Sequence, residues 1–105
     1  MRRAEPCYLY INTAIFNGRQ IIKIGISRDP DKRLHGINRA IYFRSHYYKV
    51  PQAVFCRAFT VKFKNRLLAR RSETRFKRRH KKHLISEFGT EIFDINIDNA
   101  VLGLK

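Results

Sequence analysis

Between Lys62 and Lys82 eleven residues are Lys or Arg, and a single acid, Glu73, stands among them. A solvated helix face usually intersperses acids with bases, so this imbalance marks a surface for a polyanion. A carboxylate held beside bound phosphate suits a hard cation. Mg²⁺ takes one or two protein carboxylates and completes its shell with phosphate and water, so one Glu is sufficient. The competing role for Glu73 is an ion pair, because Arg66, Arg70 and Lys77 lie within helical reach. His80 and His83 are spaced to share a metal, but no Cys or carboxylate is placed to complete a tetrahedral site. In a Lys/Arg tract they suit phosphate or solvent better. Tyr42, Phe43, Tyr47 and Tyr48 interleave with Arg44, His46 and Lys49. They could stack on bases or sugars, or fill a core between helix and sheet. Gly18, Gly25 and Gly36 lack the spacing of a phosphate-cradling loop.

These groups need elements to position them. Tyr8 to Phe16 is rich in Tyr, Ile, Leu and Thr, as a strand is. Asn17-Gly18 is a hairpin turn signal, and Gln20 to Ser27 reads as the second strand. Period-2 geometry puts Leu9 and Ile11 on one face with Ile22, Ile24 and Ile26, and leaves Tyr10 and Lys23 on the opposite, polar face. Asp29-Pro30 supplies a helix N-cap and first residue, and Leu34, Ile37 and Ile41 recur at helical spacing, predicting a helix over 30–40. Residues 42–51 show no clear period and read as loop or short helix. Val54 to Phe63 alternates, with Phe55, Phe59, Val61 and Phe63 on one side, predicting a third strand. From Asn65 to Phe88 there is no Gly or Pro, which predicts one long helix stopped by Gly89. Its inward stripe runs through Ala69, Glu73, Phe76, His80 and Leu84. A short strand around 91–95 and a small helix near 98–102 follow. The element order is that of an α+β domain with a small antiparallel sheet.

Composition narrows the function classes. At 105 residues the chain fits one domain, with a core spanning about 7–96. Hydrophobic residues make up 44%, enough to fold. With 23 Lys+Arg against 8 Asp+Glu the formal charge is +15, which points to nucleic acid first and an anionic membrane second. A membrane-surface helix would need a broader apolar face than this basic helix carries, and no apolar run is long enough to span a bilayer. No signal peptide follows Met1-Arg2-Arg3. Cys7 and Cys56 are too few for a disulfide framework and read as reduced thiols of a cytoplasmic protein. We assign phosphate contact to Arg28, Arg44, Lys64, Arg66, Arg70, Arg71, Arg75, Arg78 and Lys81. Such contacts are salt-dependent and largely blind to sequence.

Taken together, Tyr8-Leu9-Tyr10, Asn17-Gly18, Lys23-Ile24-Gly25 and Arg33 resemble the motifs of the GIY-YIG nuclease superfamily. The Lys-Ile-Gly form followed by Asp29-Pro30 and Arg33-Leu34 is closest to its phage T5 Orf172-type branch, and Thr90-Glu91-Ile92-Phe93 looks like the Thr-Glu-Trp-Phe segment that closes that branch. The resemblance covers Tyr8 to Phe93. It implies a three-stranded antiparallel sheet flanked by helices and a divalent-metal-dependent DNA endonuclease, phage or mobile-element encoded, using Mg²⁺ or Mn²⁺. The runners-up are a non-cleaving DNA-binding domain of the same fold and a basic RNA-binding protein.

The resemblance also implies roles. Tyr10 matches the first-motif tyrosine, Arg33 the superfamily arginine, and Glu73 the metal-binding glutamate. His46 matches a histidine or tyrosine found before the third strand, with Tyr47 and Tyr48 competing, and Asn96 is a weaker match for a downstream polar residue. Lys23 stands where the second tyrosine normally is, as in much of the Orf172-type branch. On this reading Glu73 holds the cation, Arg33 grips the phosphate with its bidentate fork, and Tyr10 orients or deprotonates the water. Deprotonation needs a lowered phenol pKa, for which Lys23 could supply the field. There is no room for an appended recognition domain, so specificity is expected to be low, or to come from a second copy or a protein partner.

Overall fold

The computed structural model describes residues 5–16, 18–48, 54–86, 90–102 and 104, with 40–48 described by backbone alone. Strand β1 spans Cys7–Phe16 and β2 spans Arg19–Ser27, joined through Gly18, whose φ of 75° is the left-handed conformation that a tight hairpin requires. Helix α1 runs Pro30–Tyr48, β3 Cys56–Phe63, α2 Arg66–Arg79, β4 Ile92–Phe93 and α3 Ile97–Leu102. The sheet is antiparallel with the order β3-β1-β2-β4. It therefore has four strands rather than the three that the resemblance implies, the fourth being the short strand expected around 91–95. The chain's return brings Ile92 and Phe93 alongside β2, burying Phe93 to 1% exposure and satisfying the edge of β2.

The two sheet faces differ. Leu9, Ile11, Ile22 and Ile24 point to one face and are fully buried beneath Phe76 of α2, with Phe93, Ile95 and Ala100 completing the cluster. Each such side chain contributes roughly 1.5–3 kcal/mol by burial, so this face holds most of the stabilising area. The other face carries a smaller cluster of Ala14, Ile21 and Phe55, covered by Leu34 and Ile37 of α1. The amide of Asn38 ties α1 to the residue just before β3, donating to the Phe55 carbonyl and accepting from its N–H, both at 2.8 Å.

Three expectations about the elements are corrected. First, α1 continues through Tyr48 instead of ending near Ala40 with a loop or separate short helix after it, because no Gly or Pro interrupts 37–48. Second, the long helix ends at Arg79, not Phe88. His80 caps it by donating its N–H to the Phe76 carbonyl, a 3₁₀ turn covers Lys81–His83, and Leu84 bridges to Phe93. Backbone bonds from Ile85 N–H to Ile92 and from Asp94 N–H to His83 then turn the chain into a small antiparallel pair, so sheet pairing overrides helix propensity. Gly89 lies outside the described residues. Third, the pairing of β1 with β3 slips between Ile11 and Asn12, so that Phe59 opposes Ile11 but Arg57 opposes Asn12. This β-bulge turns Phe55 away from Phe59, Val61 and Phe63, which pack with the larger cluster.

Cys7 is buried, Cys56 is exposed, and both are free thiols. No described helix is long and apolar enough to cross a membrane.

Candidate active site and nucleic-acid interface

Tyr10 is paired across the sheet with Gly25, and this explains the glycine. A Cβ at Gly25 would lie 2.2 Å from the Tyr10 hydroxyl oxygen and 2.5 Å from Cζ, so the tyrosine ring lies across β2 only because no side chain is there. One residue along, Asn12 opposes Lys23 on one side and Arg57 on the other. Tyr10, Asn12 and Lys23 therefore share one sheet face by strand parity.

The helices bring the remaining groups to Tyr10. Asp29 caps α1 through the Lys32 N–H at 3.1 Å, and Arg33, one turn in, donates a hydrogen bond to the phenol oxygen. Burial raises the Tyr10 pKa above the usual phenol value. Arg33 pulls it down through its hydrogen bond and charge, while the carboxylates of Glu91 and Glu73 push it up. The net shift is upward. Tyr10 is thus a neutral hydroxyl at physiological pH, suited to orienting a water rather than acting as a standing base.

The expected field from Lys23 is not what sets this balance. Its Nζ pairs with the Glu91 carboxylate, and the side chain is only 13% exposed. Glu91 is further tied down because its carbonyl accepts from the Ile24 N–H at 3.0 Å. The positive charge of Lys23 is consequently compensated within the fold.

Glu73 sits mid-way along α2, on the stripe between the fully buried Ala69 and Phe76. Of the three cations expected to compete for it, Lys77 is its partner, four residues on, at 3.8 Å with the carboxylate side chain 13% exposed. That separation is too long for a close charge-assisted hydrogen bond. A carboxylate largely withdrawn from water yet held this loosely is a chemically suitable donor for Mg²⁺ or Mn²⁺, with phosphate and water supplying further oxygens. Among the described residues no three His, Cys, Asp or Glu side chains converge on a metal position. The fit accordingly rests on Glu73 alone.

The basic contacts divide in two. Lys64, Arg66, Arg70, Arg71, Arg75, Arg78 and Lys81 are all exposed, and none enters an ion pair among the described residues. Arg28 is exposed but pairs with Glu5. It joins Lys32 and Arg33 along an open groove of about 400 Å³ at the start of α1. His46 and Arg44 fall on α1, but their side chains lie outside the described residues. Asn96 is exposed and caps α3 through the Asn99 N–H at 2.9 Å, a structural role apart from Tyr10.

Sequence reasoning gave no role to three residues. Glu91 stood in a strand-like segment and in the closing Thr-Glu-Ile-Phe motif without a role of its own, since its pairing with Lys23 is non-local. Asn12 is 0% exposed with neither end of its amide hydrogen-bonded, and strand parity with Tyr10 was the available signal. Arg57 reaches Asp31 on α1 at 2.5 Å, while its Nε is buried without a partner. Only the bulge turns it to this face.

No curated protein and no solved structure matches the chain. A family model, the T5orf172 domain, matches residues 7–103, which spans all three helices and every strand described above. The chain therefore belongs to the T5orf172 domain family, a GIY-YIG-related family of nuclease-like domains.

Proposed function

We propose that this protein is a divalent-metal-dependent DNA endonuclease of low intrinsic sequence specificity. The observation that carries the reading is the Tyr10 phenol laid over Gly25, with Arg33 of α1 acting on it; the water-sheltered, loosely held carboxylate of Glu73 on α2 supports it. Arg33 binds non-bridging oxygens of the scissile phosphate and stabilises the charge that develops there. Removing one such preorganised donor typically costs about 10²–10³ in rate. The neutral Tyr10 hydroxyl orients the attacking water, and Arg33 holds that hydroxyl in place. Glu73 is the residue that would hold Mg²⁺ or Mn²⁺, and the bound cation supplies Lewis-acid stabilisation at the phosphate. The exposed cations of α2 fix the duplex through its backbone, a contact that reads no sequence. DNA is the substrate on this reading, with RNA second.

A non-cutting DNA-binding module is the second reading. It is favoured by the pairing of Lys23 with Glu91, which leaves the position of the family's second tyrosine without a free group.

Plasmid relaxation separates the two. Supercoiled DNA nicked with Mg²⁺, spared with EDTA, and spared by a folded Glu73→Ala variant that still binds DNA supports the endonuclease. Tight binding with no nicking across metals and salt concentrations leaves the non-cutting module. Loss of folding in Glu73→Ala, read by circular dichroism, would instead assign Glu73 to its ion pair with Lys77.

A further inference from the structure

A second concavity lies away from Tyr10, where the end of α2 and the turn after it meet α3 and the start of β2. It is a cleft of about 570 Å³, within the roughly 300–1,000 Å³ of small-molecule sites. Gln20 on its wall is five residues before Gly25, so the cleft is about 17 Å along β2 from the residue beneath Tyr10.

Its chemistry is uneven. His80 lines the cleft at 8% exposure, with Nε2 buried and lacking any hydrogen-bond partner. A buried polar atom left this way costs free energy that a ligand oxygen or nitrogen would restore. Burial, followed by the charges of Arg79 and His83, holds the His80 pKa below the usual imidazole value, so the ring is neutral and able to donate or accept at Nε2. At the same end, Arg79 and His83 are exposed, and Arg79 enters no ion pair among the described residues. Arg19 on the rim is already taken up by Asp94. The opposite wall is apolar, built by the buried Ile95 and by Leu102, which is 60% exposed, with the Asn99 amide beside them. The Arg79 guanidinium with an imidazole beside it, an apolar surface across the cleft and an amide next to that surface match the three parts of a nucleotide: phosphate, base face and base edge.

We propose that this cleft binds a nucleoside monophosphate, either free or as the terminal residue of a nucleic-acid strand. The phosphate lies on Arg79 and His83, the base lies against Leu102 within reach of Asn99, and His80 Nε2 bonds to the ligand. This site does not depend on cleavage at Tyr10, and its test is separable from the plasmid assay.

The test is NMR titration of the ¹⁵N-labelled full chain with AMP and, in parallel, inorganic phosphate. Saturable shifts of the His80 and His83 ring signals and of the Asn99 amide are expected with AMP. Arg79→Ala should weaken binding about tenfold or more, as loss of a charge-assisted contact does, and Asn99→Ala severalfold. Glu73→Ala should bind AMP like the wild type whether or not it nicks DNA. Competition by a single-stranded oligonucleotide with and without a 5′-phosphate identifies the source. Displacement of AMP only by the phosphorylated strand assigns the site to strand ends, and no displacement by either assigns it to free nucleotide. The proposal is overturned by the absence of saturable shifts at millimolar AMP. It is equally overturned by identical shifts with inorganic phosphate alone, or by shifts that centre on Arg33 and survive Arg79→Ala.

Discussion

The two faces of the sheet are made from the same two strands and have opposite character. Toward α2, Leu9, Ile11, Ile22 and Ile24 form a closed apolar layer under Phe76. Toward α1, the intervening residues Tyr10, Asn12, Lys23 and Gly25 bring a phenol, a bare amide, a paired lysine and a gap. Alternation along a strand thus separates stability from chemistry at single-residue resolution. A substitution should reveal which face it lies on by whether folding or turnover responds.

The largest effect is expected on the apolar face. Phe76→Ala should lose about 3–5 kcal/mol of stability in urea unfolding, with nicking per folded molecule retained. A loss below about 1 kcal/mol, the range of well-tolerated core swaps, would show that α2 does not anchor the sheet. Next, on the polar face, Arg33→Lys should keep the fold and reduce nicking by about 10²–10³, since the point charge cannot reproduce the fork. Equal turnover would reduce Arg33 to a helix-surface charge. Gly25→Ala crosses the boundary between the two faces. Its Cβ collides with Tyr10, so both stability, by about 1–3 kcal/mol, and nicking should fall. If neither changes, the Tyr10 ring does not need that space.

The smallest effect concerns His80. Its pKa is lowered in the folded protein, chiefly by burial. The unfolded chain therefore takes up the proton first, and the associated stability is present above the unfolded value of about 6.5 and is lost as pH falls through the folded one. Urea midpoints measured from neutral to mildly acidic pH should decline, and His80→Gln should flatten that decline. An unchanged slope would mean other groups carry it.

Local pattern made the hairpin, the start of α1 at Asp29-Pro30 and the division of Tyr10 from Ile11 readable in the sequence. Each is set by neighbouring residues. What could not be read depends on distant partners. Nothing between Asn65 and Phe88 breaks a helix, yet the chain leaves helical geometry after Arg79 because Leu84 and Ile85 are claimed by Ile92 and Phe93. The alternation of Phe55 with Phe59 is unbroken on paper, and the bulge that separates them exists only in the register against β1. At the site, Arg33 and Glu73 were nameable through their motif and helix stripe. Glu91 was named in the closing motif but its role was not readable, because that role is defined by a contact with Lys23 from 68 residues away.

The outer edge of β3 has a further consequence. It ends the order β3-β1-β2-β4, so one row of its backbone N–H and C=O groups has no strand beside it among the described residues. Such rows invite a second chain to dock, and like charges at the rim are a common safeguard. Here Lys62 and Lys64 carry that charge. A polyanion that engages them would therefore remove the molecule's own protection against self-association. Colloidal stability should pass through a minimum as DNA is added, with turbidity greatest near charge equivalence and clearing when nucleic acid is in excess.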